Sequence, residues 1–212
     1  MDPRVKVLGS SVGIAIAIIL GFILYGELTR PAGFEGVSEG MWVTGNGIKE
    51  GNMLEYKIDL ANKSMIVNIR FDEKIDNNWK ATITADGVSR EVVLSENLVA
   101  VDIPENFEEW NDIRKSLFWI VDFVYEPRPL VGNSVWSTIN LEFRTVELKL
   151  VAKEDISIVA GDFTAYKLAY YLGYQGGGEL WIVKDMPLPV KAEVRDQDND
   201  LIFRYELLSY SL

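Results

Sequence analysis

The sequence predicts a mainly β (α+β) protein, in which an N-terminal single transmembrane helix is followed by an antiparallel sheet closed by one major covering helix. Three observations predict it. Residues 7–26, VLGSSVGIAIAIILGFILYG, form an unbroken uncharged run, long enough as a helix to cross the roughly 30 Å hydrocarbon core of a bilayer. From Leu54 onward, apolar and polar residues alternate with period two in one segment after another, which marks half-buried antiparallel strands. Only after Pro104 does the period lengthen to three or four, so strands precede and follow a single helix, an order that argues against a parallel α/β sheet.

The run at 7–26 reads as a membrane anchor. A buried helix of a soluble protein would carry a polar stripe, and this one has only Ser10 and Ser11 near one end. Arg4 and Lys6 give it the basic start of a secretory signal, but no small-x-small pair lies around Tyr25-Gly26-Glu27, and Pro31-Ala32-Gly33 is too far downstream for cleavage. Arg4 and Lys6 precede the span, whereas Glu27 and Arg30 follow it. The positive-inside bias then leaves the N-terminus in the cytoplasm and the C-terminal part outside, a single-pass protein of the cell membrane. Within the span Gly9, Gly13, Ala17 and Gly21 recur every fourth residue and line one face with small side chains. Such a face lets another helix approach closely, so the expected partner is an integral membrane protein or a second copy of the anchor.

Residues 27–40 are rich in Gly, contain Pro31 and lack a hydrophobic period, as a linker does. Residues 41–212 are of a size typical of one domain. Leu54, Tyr56, Ile58 and Leu60 alternate with charged residues, and Met65, Val67, Ile69 and Phe71 resume the period after a short break, so the two runs form a hairpin. Asn62-Lys63-Ser64 at its tip is an acceptor sequon, which makes Asn62 a candidate glycosylation site. Residues 79–85 and 88–94 flank Asp86-Gly87, a pair suited to a tight hairpin turn.

The helix is expected between Pro104 and Pro127. Phe107, Trp110, Ile113, Leu117, Val121 and Val124 make its apolar stripe, and Glu105, Glu108 and Glu109 fall in its first turn, where they complement the dipole. Two readings of its aromatic character stand side by side. The helix closes one face of the sheet, or Phe107, Trp110, Phe118 and Trp119 form an apolar surface for a partner or a lipid. Strands then return at 146–150, 163–172, 179–183, 190–195 and 201–208, the last two joined by the acidic turn Asp196-Gln197-Asp198-Asn199-Asp200.

Composition removes several functions. The net charge of −11 and pI near 4.6, with no block of Lys or Arg, argue against nucleic acid as a partner. The chain has no Cys and no His, which removes disulfides, thiol nucleophiles, imidazole bases and the usual zinc, copper and haem ligands. No cofactor is expected. Asp196, Asp198 and Asp200 begin like a calcium loop, but the sixth position is Leu201 and the twelfth Leu207, so a solvated turn is expected. Gly176-Gly177-Gly178 lacks the Lys-Ser/Thr of a phosphate loop and reads as a flexible turn. No pair among the acidic residues is singled out for acid–base work.

The C-terminal part carries a run of recurring features: Val131-Gly132-Asn133 with Trp136, then Val159-Ala160-Gly161-Asp162-Phe163 with Ala165-Tyr166, then Glu179-Leu180-Trp181 followed by Pro189-Val190-Lys191. This resembles the "PAGTF…W…PVK" pattern of exported β-sheet proteins that are similar to the LolA and RseB lipoprotein-carrier superfamily, with Val159 in place of the usual Pro. The resemblance, over 130–210, implies a curved antiparallel sheet or half-barrel and a binding module rather than an enzyme. It brings no catalytic residue with it. The function expected first is that of a non-catalytic, membrane-anchored extracytoplasmic domain, an accessory or structural subunit of a membrane or envelope complex. The alternatives are a lipophile-binding domain, which needs a cavity beneath the helix, then a hydrolase without His or Cys, and last a pilin-like subunit.

Overall fold

The period-two segments become strands, and the strands join into one large curved antiparallel sheet. The computed structural model describes residues 38–141, 144–172 and 176–212, all within one compact unit. The proposed span at 7–26, with Gly9, Gly13, Ala17 and Gly21, and the linker up to residue 37 lie outside the described residues. Among the described residues no helix is long and apolar enough to cross a membrane.

The elements are β1 (Met41–Trp42), β2 (Met53–Leu60), β3 (Ser64–Ile75), β4 (Asn78–Ala85), β5 (Val88–Ser95) and β6 (Ala100–Asp102). There follow α1 (Trp110–Ser116), a 3-10 turn (Trp119–Asp122), β7 (Arg128–Pro129), β8 (Val135–Leu141), β9 (Arg144–Ile158), β10 (Gly161–Tyr171), β11 (Gly177–Ile182), β12 (Lys191–Arg195) and β13 (Leu201–Ser211). Eleven strands form the main sheet in the order β6-β5-β4-β3-β2-β13-β12-β11-β10-β9-β8, and β1 pairs with β7 alone. Two meanders are therefore sewn together where β2 meets β13, with Ile58 opposite Tyr205 and Tyr56 opposite Leu207.

Local chemistry fixes the register. Asp86 and Gly87 both take positive φ, 47° and 86°, the geometry of the two-residue turn whose twist matches its flanking strands. Val88 accordingly lies opposite Ala85. The inward residues foreseen from the alternation are inward: Leu54, Tyr56, Ile58, Val67, Ile69 and Phe71 are fully buried. Leu60 and Leu201, at strand ends, are half-buried.

The single long helix is corrected by the structure. The stripe from Phe107 to Val124 is buried as expected, apart from the half-buried Trp110, but the regular helix covers only Trp110–Ser116 and is followed by the 3-10 turn. Packing explains the break. Phe118 and Ile120 stand roughly 200° apart on a straight helix, yet both are buried together with Leu117 and Val121. A change of pitch at Phe118 (φ −93°, ψ 4°) turns all four inward. Ser116 Oγ also donates to the Asp112 carbonyl at 2.6 Å, a back-bond that bends helix ends.

The glycine-rich turn is corrected too. Gly177 and Gly178 open β11, opposite Tyr171 and Tyr170. A Cβ on Gly178 would lie 2.3 Å from the Tyr170 ring, so close packing, not flexibility, excludes a side chain there.

One feature had no sequence signal. The outer half of the β9–β10 hairpin runs past β11, whose pairing with β10 starts at Tyr166. It leans over the face opposite the main core. Glu154 Oε1 accepts from Trp181 Nε1, Val159 N donates to Glu206 Oε1 at 3.1 Å, and the Phe163 and Tyr210 rings lie 5.9 Å apart. Trp181, flanked by Lys167 and Lys191 each 5.0 Å from its ring, is 8% exposed although it points away from Leu180 and Ile182.

Candidate functional site

The aromatic segment and its surroundings form the first candidate. Phe107 and Phe118 are buried in the core, whereas Trp110 and Trp119 are half-buried. Trp110 bridges Phe107 and Phe118, with centroids 6.0 and 5.4 Å away. Trp119 packs instead on Phe123, Tyr170 and Phe203. The four residues therefore face two neighbourhoods, one toward β6 and one over β10 and β13. Beneath the segment Ile113, Leu117, Ile120 and Val124 have no exposed surface, so the interval between helix and sheet is filled by the chain itself.

A cleft of about 140 Å³ opens at the β6 end, lined by Leu98, Val99, Ala100, Trp110, Arg114, Phe118, Val121 and Asp122. It is smaller than the roughly 300–1,000 Å³ of a small-molecule site. Arg114 and Asp122 close an ion pair of 3.3 Å at its rim. Leu98 holds a positive φ of 64°, an uncommon state for a branched residue. Asn97 steadies that loop by donating to the Tyr125 carbonyl at 2.8 Å, and the Asn97 carbonyl accepts from Thr44 Oγ1, also at 2.8 Å.

The second candidate lies where the chain enters the domain. Trp42 is fully buried and its Nε1 donates to the Met186 carbonyl at 2.9 Å. Glu39 is held by Lys153 and by Tyr166, whose hydroxyl donates to Oε2 at 2.7 Å. Those hydrogen bonds, from Lys153 first, keep the Glu39 carboxyl below its ordinary range. Burial, aided by the bond to Glu39, pushes the Tyr166 hydroxyl up to about 12. Glu39 and Gly40, read as linker, thus belong to the folded domain.

Known proteins match this geometry only distantly. No family model matches the chain, and no curated protein matches it in sequence. Solved structures do. A protein described as exported, with a YmcC-like fold, from Bacteroides fragilis is 12% identical, over 83% of this chain and 100% of that one, at a TM-score of 0.44. A protein described as a lipoprotein from Parabacteroides distasonis is 16% identical, over 80% and 99%, at 0.42. MucB in the Pseudomonas aeruginosa MucA/MucB complex is 15% identical, over 76% of this chain and 50% of that one, at 0.42. All three are likenesses at low identity, to proteins described as exported, as a lipoprotein and as MucB with MucA.

The remaining sequence-derived positions are dispersed. Asn62 lies exposed in the β2–β3 turn. Asp196 Oδ1 accepts from the backbone N–H groups of Asp198 and Asp200 at 2.9 and 3.0 Å, so its carboxylate builds the turn. Among the described residues no group of three or more carboxylates could hold a metal ion. The side chains gathered around the cleft offer apolar contact and charge, and no nucleophile beside a base.

Proposed function

We propose that this chain is a non-catalytic, single-pass membrane protein whose extracytoplasmic β domain is an accessory or structural subunit of a membrane or envelope complex. The observation carrying this reading is the joint at the start of the domain. Glu39, at the end of the Gly-rich stretch, and Trp42 and Thr44, just after it, are tied into the fold through Lys153, Tyr166, Met186, Asn97 and Val124. A tether that ends in the core holds a domain at its anchor, as an accessory subunit requires and a free shuttle does not. A lipophile carrier would need room for an acyl chain beneath α1, where Ile113, Leu117, Ile120 and Val124 pack without exposed surface.

The test is purification of the full chain in mild detergent and identification of the subunits that come with it in fixed ratio. Gly13→Ile and Gly21→Ile should insert normally, since Ile is at least as favourable in a bilayer as Gly. They should lose association by on the order of 1–2 kcal/mol, while Ile18→Leu keeps it. A chain that purifies alone, or variants that keep every partner, would remove the proposed role of the small-residue face.

A further inference from the structure

We infer that the β6 edge and the cleft beside it form a docking site for an extended, basic segment of a partner protein that carries one bulky apolar side chain. The inference rests on the accessory reading and names the surface that contacts the partner. β6 ends the main sheet: Asp102 and Ala100 pair with Val93 and Leu94 of β5, and no described strand covers its other side. An uncovered edge is a template for another strand. Beside the charged Asp102, Val99 and Val101 stand 45% and 56% exposed along it.

Next to that edge lies the cleft of about 140 Å³, floored by Leu98, Phe118 and Val121 and walled by Trp110. It is small for a ligand and suits a single side chain. Strand addition with a neighbouring side-chain pocket is a recognised peptide-binding mode, in which backbone bonds supply affinity and the pocket specificity.

Charge selects the occupant. Between Glu96 and Glu126 the chain has eight acidic residues against two basic ones, Arg114 and Lys115. Arg114 is engaged by Asp122, and Asp112 and Glu96 are paired with Lys63 and Lys74. Asp102, Glu105, Glu108, Glu109 and Glu126 make no ion pair among the described residues. This acidic segment, residues 96–126, attracts a cationic partner and repels a second copy of a chain with net charge −11.

The test uses the full chain in mild detergent and a labelled nonapeptide in which Lys alternates with Thr on either side of a central Val-Phe-Val. Saturable binding is expected, weakened about tenfold or more when the peptide Phe becomes Ala. Binding should vanish when its Lys residues become Glu, and in the variant Val101→Pro, which cannot extend the sheet. Because that variant can fail to fold, amide exchange in the native chain gives the independent readout: the peptide should slow exchange at residues 100–102. Equal binding of the Phe and Ala peptides, retained binding by a folded Val101→Pro, or unaltered exchange at 100–102 overturns the inference. So does concentration-dependent protection of 100–102 without peptide, which assigns the edge to a second copy. Peptide failure with subunits still co-purifying rejects this surface alone; peptide binding by a chain that purifies alone rejects the accessory reading.

Discussion

The indoles of Trp42 and Trp136 stack with their centroids 5.9 Å apart and their planes inclined by 26°. Trp136 comes from the edge strand β8 and donates its Nε1 to the Pro129 carbonyl and to Ser134 Oγ, both at 3.1 Å. Trp42 donates to Met186. The pair therefore clasps the entry segment, the strand pair β1–β7 and one sheet edge. Trp42→Ala is expected to cost about 3–5 kcal/mol of stability, the range for emptying a buried aromatic site. Urea titration followed by tryptophan fluorescence measures it. A loss below about 1 kcal/mol, the size of a surface change, would contradict the core role of the entry segment.

Tyr56 and Tyr205 present the reverse case. Their rings meet edge to face at 5.8 Å, and neither buried hydroxyl has a hydrogen-bond partner among the described residues. Burial holds both far above the ordinary phenol range. A buried hydroxyl left unpaired costs on the order of 1–3 kcal/mol, so Tyr56→Phe and Tyr205→Phe should each leave stability unchanged or raise it. Thermal melts of the two single variants and the double decide. A clear loss in either would mean that its hydroxyl is bonded in solution, through an internal water.

Much of this fold was legible because alternation is a local signal. Tyr56, Val67 and Phe71 announce their inward face by position alone, and Asp86-Gly87 announces its turn. The helix at 104–127 was legible only as a stripe. Its break at Phe118 turns Leu117, Phe118, Ile120 and Val121 inward and sets Trp119 on Tyr170 and Phe203, residues far along the chain. The docking of Trp42, the meeting of β2 with β13 and the cover over Trp181 are all long-range, and nothing in the neighbouring residues encodes them. For the aromatic site, sequence could nominate Phe107, Trp110, Phe118 and Trp119 by type. It could not divide them, because the division depends on where β6 ends.

Gly178 and Gly87 separate two reasons for having no side chain. An added Cβ at Gly87 meets nothing within 4 Å, so Gly87→Ala carries only the left-handed backbone cost, roughly 1–2 kcal/mol. At Gly178 the added methyl collides with Tyr170, itself 7% exposed. Gly178→Ala should cost about 1–3 kcal/mol through displaced packing. The combination Gly178→Ala with Tyr170→Leu should recover part of it, whereas Tyr170→Leu should do nothing for Gly87→Ala. Absence of that selective recovery in denaturant titrations would refute the steric account.

The absence of His and Cys from the chain makes its pH response unusually simple to predict. On the acid side, Glu39 is held below its ordinary 4.5 by hydrogen bonds from Lys153 and then Tyr166, and Asp59 below 3.8 by Ser64 and then Arg204. A carboxylate with a depressed folded pKa contributes stability above its unfolded value, and that contribution is lost as pH falls through the folded one. On the alkaline side Tyr166 and Tyr170 rise from 10.0 to about 12, both chiefly through burial. A raised folded pKa contributes stability that is whole below 10.0 and disappears as pH climbs toward 12. The melting temperature should therefore stay level from about pH 5 to about pH 9, a window in which no unperturbed side chain other than His or Cys titrates. It should fall on both sides. Tyr166→Phe should weaken both limbs at once, because one hydroxyl stabilises the ionised Glu39 and is itself held neutral. Melts across the pH range for the two proteins test this, and a transition inside the plateau, or an acid limb untouched by Tyr166→Phe, would sever the proposed link between Glu39 and Tyr166.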